Sequence, residues 1–174
     1  MVECRNFRIT LVSADNLPDI RNFGQMKVYA VVSLSGISET AMKTEADMEG
    51  ETNPRWNTYI DYTVTESFLR EGGLQVVVKL YCERTLGDKL VGEVRIDVKS
   101  LFDRGIRVDK AISYKVAGTG DGRLNILYSF GDVFSYSFGS DVVLAPKSSG
   151  GKKVMAVMLR GAWFLLTGDF SAWS

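Results

Sequence analysis

Few side chains in this chain are equipped for covalent chemistry, and the missing ones decide most. There is no histidine, so the chain lacks the imidazole base of Ser-His and Cys-His catalysis and the usual nitrogen ligand of zinc. Its two cysteines, Cys4 and Cys82, are too few for a disulfide framework or a thiolate zinc site. Arg84 follows closely on Cys82 and would favour the thiolate, yet a spectator thiol is the plainer reading. Gly118, Gly120 and Gly122 lead into a strand rather than a helix, so they read as a turn and not as a phosphate cradle. With no nucleophile and base to pair, the sequence describes a non-enzymatic binding protein.

Binding chemistry is better supplied. Lys79 and Tyr81 share one strand face by alternation, and a lysine can hold a phosphate as a point charge. Lys and Arg together number 21, as do Asp and Glu, which leaves a formal net charge of zero. That balance lacks the basic excess expected of a nucleic-acid binder. The opening Met1-Val2-Glu3-Cys4-Arg5-Asn6 is polar and runs straight into a strand, unlike a secretory leader. A reducing, cytoplasmic setting with both thiols free is the expectation.

The elements that must hold these side chains alternate with a period of two. Phe7, Ile9 and Leu11 interleave with Arg8 and Thr10, the mark of a half-buried strand. Further runs cover 28–34, 58–64, 74–80, 90–98, 111–116 and 124–130. Asn53-Pro54 and Gly72-Gly73 supply turn signals between them. A single helical turn is expected at 99–104. Strands at this spacing, without alternating helices, predict an all-β antiparallel sandwich. The chain of 174 residues suits one such domain and an extension.

Four patterns, in order, resemble the C2 domain. They are Phe7 to Leu17 with its Ala14-x-x-Leu17, Gly24 to Leu34, Asn53-Pro54-Arg55-Trp56-Asn57, and Leu90-Val91-Gly92-Glu93-Val94. The Val28 to Leu34 wording and the small size are similar to plant single-C2 proteins of the cold- or stress-regulated and copine-associated kinds. The resemblance implies an eight-stranded sandwich of type II topology, spanning 1–132. It implies a role in docking on membrane lipid or a protein partner, in stress or defence signalling, at the cytoplasmic face of a membrane. Trp56 reads as a corner residue able to anchor two sheets.

The resemblance also sets out a calcium site, built from carboxylates of two loops at one end. Asp19 and Asp88 match it. Lys27 replaces the aspartate before Val28-Tyr29, and Cys82 and Arg84 fall where the family has its paired aspartates. Calcium needs six to eight oxygens, so the site reads as incomplete and the expected cofactor is none. Asp19 and Asp88 are then expected to be solvated carboxylates paired with Lys27 or Arg84. By motif position Tyr29 and Tyr81 match the family's aromatic lipid contacts and Lys43 a basic one. With Lys79 they form a candidate site for an anionic membrane surface. Val31 departs from the family's lysine. The alternative is an adaptor or inhibitor that meets a signalling protein and no membrane.

Composition shifts beyond Phe130. Residues 133–153 read as a Gly/Ser/Lys linker and 154–174 as an apolar tail. The apolar run of about 14 residues falls short of the ~20 that span a bilayer, and Arg160 interrupts it. It is expected to pack back on the domain, to self-associate or to meet a membrane surface.

Overall fold

A computed structural model describes residues 1–136 and, beyond them, the strands Lys153–Leu159 and Ala162–Gly168. Two antiparallel sheets face each other. One has the order β4-β1-β8-β7, built from Arg55–Thr65, Val2–Asp15, Arg123–Phe130 and Ile112–Lys115. The other has the order β3-β2-β5-β6, built from Met42–Lys43, Val28–Leu34, Gln75–Cys82 and Lys89–Asp97. The chain thus opens on a central strand and closes beside it, the order expected of the type II sandwich.

Alternation places the core. Phe7, Ile9 and Leu11 of β1 meet Val28, Ala30 and Val32 of β2, Val76, Val78 and Leu80 of β5, and Leu124 and Ile126 of β8, all buried. A short 3-10 turn, Ser38–Thr40, and two helices, α1 (Glu66–Glu71) and α2 (Val98–Arg104), close the connections. Asp97 caps α2 by accepting from the Ser100 amide at 2.8 Å. β3 and α1 were not expected from the sequence. Two residues carry no period, and six make less than two helical turns.

The Asn-Pro-Arg-Trp-Asn segment does its work through the backbone. β1 and β4 slip register between Leu11 opposite Thr58 and Ser13 opposite Arg55, so Trp56 and Asn57 together face Val12. Asn57 takes a left-handed φ of 48°, which asparagine tolerates better than most residues. The bulge turns Trp56 across the sandwich, where its Nε1 donates to the Val28 carbonyl of the opposite sheet at 3.0 Å. Gly92 has a different reason. A Cβ there would lie 2.5 Å from Val116 Cγ1 and 2.6 Å from the Ala117 oxygen, so only glycine lets the chain pair with Ala117.

Past Phe130 the sheet continues. β9 (Phe134–Tyr136) pairs with Val2–Cys4 of β1, so the paired segment extends beyond Asp132 into the start of the expected linker. The reason is local: Val2, Glu3 and Cys4 lengthen β1 beyond Phe7 and offer an open edge there. Further on, β10 (Lys153–Leu159) and β11 (Ala162–Gly168) form an antiparallel hairpin. The rest of the linker and the end of the tail lie outside the described residues.

Candidate functional site

The outer face of the β3-β2-β5-β6 sheet brings the four lipid-contact candidates together. Register places Tyr29 beside Tyr81, and one row along it places Val31 between Lys43 and Lys79. The two tyrosine rings stack with centroids 5.5 Å apart and planes 18° apart. Lys43 Nζ lies 3.7 Å from the centroid of the Tyr29 ring, a cation–π contact. Lys79 lies next to Glu93 of β6, at 4.0 Å, and Arg95 holds the same carboxylate at 2.5 Å. The face therefore carries Lys43, Lys79 and Arg95 around the Glu93 carboxylate, over an aromatic floor.

Tyr29 is mostly covered at 7% exposure. Its hydroxyl donates to Asp88 at 2.6 Å. Desolvation first, and then that carboxylate, push its pKa up to about 12. Asp88 also accepts from the Arg84 amide at 3.0 Å, and these bonds hold its own pKa below the usual value. The carboxylate is thus a strut of the third loop, residues 83–88, rather than a free ligand.

Three loops meet at that end of the sandwich. The Glu83 amide donates to the Lys27 carbonyl at 2.8 Å, the Asp47 amide to Val28 at 2.9 Å and the Leu17 amide to Thr52 at 3.0 Å. Asn53 accepts from the Asn16 amide at 3.0 Å, and Asp47 from the amides of Glu49 and Arg55. Asp47 is a residue the sequence reading missed. Its signal was only its place in the loop before Asn53-Pro54. A shallow cavity of about 280 Å³ lies between this second loop and Trp56. At the tips Phe23 and Leu86 are 96% and 100% exposed.

Asp19 is not paired with Lys27 or Arg84, as expected from the sequence. Its partner is Arg21, which curls back within the same loop: Nε lies 3.0 Å from Oδ1 and Nη2 2.8 Å from Oδ2. The Arg21 side chain and amide hold the Asp19 pKa at about 2. Asp88 does involve Arg84, but through its backbone amide. Among the described residues no three or more of His, Cys, Asp and Glu gather as metal ligands. Cys82 ends β5 at the edge of the third loop with its side chain buried at 1% exposure, and Cys4 is fully buried. No helix among the described residues is long and apolar enough to cross a membrane.

Comparison with known proteins bears on this geometry. The family model described as "C2 domain" matches residues 5–112. "Protein SRC2 homolog" of Arabidopsis thaliana is 34% identical over 144 residues, covering 80% of this chain and 44% of that protein. "Protein SRC2" of Glycine max is 32% identical over 138 residues, covering 75% and 48%. The chain spans less than half the length of these curated relatives. Among solved structures, a calcium-bound pair of C2 domains from extended-synaptotagmin 2 aligns with a TM-score of 0.59 at 16% identity, covering 72% of this chain and 45% of that one. A single C2 domain of plant extended synaptotagmin 1 aligns at 0.58 and 15% identity, covering 75% and 96%. At such identities the likeness is one of fold.

Proposed function

The chain belongs to the C2 domain family, and from that premise we propose that it is a non-enzymatic module that docks on anionic membrane surfaces without needing calcium. One observation carries the reading: Lys43 and Lys79 flank a stacked Tyr29–Tyr81 pair on one open sheet face. Point charges attract lipid phosphates, and Tyr81, the more open of the two rings, offers apolar area at the headgroup level. Each basic residue near an anionic surface contributes about 1 kcal/mol. Calcium independence is supported by the ties on Asp19 and Asp88 and by Lys27, Cys82 and Arg84 at positions where the family has ligands. The likeness to SRC2 proteins of two plants and to plant stress-associated C2 proteins favours a place in stress or defence signalling, peripheral on the cytoplasmic side.

The test is sedimentation of the chain with vesicles of phosphatidylcholine containing phosphatidylserine or a phosphoinositide, in calcium and in chelator. Equal pelleting in both, with none on pure phosphatidylcholine, is the expected result. Pelleting that needs calcium would overturn calcium independence. A second reading, an adaptor that binds protein through its loops and tail, is favoured by the exposed Phe23 and Leu86. Absence of pelleting under every condition would select it. Self-association through the tail belongs with that reading.

A further inference from the structure

The cluster at the first loop is built around a cation that the chain itself provides. Arg21 donates to both oxygens of Asp19 through Nε and Nη2. Its Nη2 also reaches Glu51 of the second loop at 2.7 Å, and its Nη1 donates to the Gly24 carbonyl. The backbone closes the same turn, since the Arg21 amide donates to Asp19 Oδ1 at 3.0 Å. The arginine side chain is only 13% exposed, although both acids are half open to water at 50% and 40%. The guanidinium is therefore the enclosed member, and the acids form its rim.

Two backbone features agree. Glu51 takes a left-handed φ of 51°, a region that residues other than glycine seldom adopt. Gly24 closes the turn at φ 77°. Phe23 lies between Arg21 and Gly24, at the apex of the closed turn, and is 96% exposed.

We infer that the Arg21 guanidinium is a built-in cation doing for these loops what a bound metal ion would otherwise do: it fastens the first loop to the second and holds Phe23 out at the tip. Its planar fork satisfies two carboxylates and a carbonyl at once, which a lysine cannot match. The ligands that a metal would recruit are occupied by a group that cannot dissociate. This explains the calcium independence in the reading above, and it stands apart from which surface the protein docks on.

Amide hydrogen exchange on the full chain, without vesicles, tests it. The wild type should show the same protection at residues 19–24 and 49–52 in chelator and in millimolar calcium. Arg21→Gln should speed exchange in both segments about tenfold or more, the scale of a lost charge-assisted hydrogen bond. β1, β2 and β5 should keep their protection. Glu51→Gln changes only a rim group and covers the case in which Arg21→Gln fails to fold. It should free 49–52 and leave 19–24 closed. Unchanged exchange in the loops of a folded Arg21→Gln, or loops in Glu51→Gln that match wild type, would overturn the inference. So would wild-type loops that gain protection on adding calcium, since a metal would then complete the cluster. Vesicle binding in the same variants is a separate readout, so either idea can fail alone.

Discussion

The outer face of β2 and β5 and the loop end of the sandwich are linked through the Tyr29–Asp88 hydrogen bond, yet they are made by different means. The face is fixed by strand register. Alternation puts Tyr29, Val31, Lys79 and Tyr81 on one side, and neighbouring strands supply Lys43 and Glu93. The loop end is fixed by side chains bonding to nearby backbone and to one another, as Asp47, Asn53, Asp19 and Arg21 show. The charges differ as well. The face gathers Lys43, Lys79 and Arg95, whereas the second loop carries Glu45, Asp47, Glu49 and Glu51 with no lysine or arginine. An anionic surface is therefore drawn to the face and not to the loops, unless a divalent ion intervenes. The lesson is that in a C2 fold the loop-end carboxylates and the sheet face depend on different interactions, so one can change without the other.

Trp56 is where the comparison breaks most readily, since its ring spans both sheets just below the loops. Trp56→Ala should cost about 3 kcal/mol by removing a large packed side chain. Trp56→Phe should cost about 1 kcal/mol, because the Val28 carbonyl keeps its bond from Asp47. Denaturant midpoints check both, and equal losses would show that the N–H and not the ring is what matters.

A smaller effect sharpens the face. Glu93→Gln removes the carboxylate that Lys79 and Arg95 share and frees both. Affinity for phosphatidylserine vesicles should rise by about 1 kcal/mol, roughly fivefold. An unchanged vesicle titration would place the docking surface elsewhere. Smaller again is the effect of cutting the link between the two regions. Tyr29→Phe keeps the stack on Tyr81 but loses the bond to Asp88. Amide exchange should quicken at residues 84–88 while vesicle binding holds. Loss of vesicle binding would show that the face depends on the third loop.

The smallest effect is a titration. Asp19 has its folded pKa depressed from 3.8 to about 2, chiefly by the Arg21 side chain. The sign follows: the contact contributes fully above the unfolded value near 3.8 and is lost as pH falls through about 2. The carboxyl carbon of Asp19, followed by NMR, should titrate near 2. A midpoint at the ordinary value would mean that Arg21 does not hold it in solution.

What could be read from the sequence divides along the same line. The run at 28–34 coincides with β2, and 124–130 falls within Arg123–Phe130, because β-branched and apolar alternation records burial directly. Lys79 and Tyr81 share a face for the same reason. The partner of Asp19 was not legible. Lys27 and Arg84 stand at motif positions, whereas Arg21 meets Asp19 within a turn that also brings it to the Gly24 carbonyl, and no periodicity reports a loop path. The two-residue β3 was hidden by its length, so Lys43 was found by motif position and not by strand pattern.

The most direct measurement compares the two regions in one assay. Binding to phosphatidylserine vesicles in chelator would be measured for wild type, for Lys43→Glu with Lys79→Glu, and for Phe23→Ser with Leu86→Ser. Each charge reversal removes about 2 kcal/mol of attraction to the surface, twice the worth of one basic residue. The account predicts that the face variant loses binding and the loop-tip variant keeps it. If the loop-tip variant is the one released, and the charge-reversed face still binds, docking is by insertion of the loops and the account is wrong.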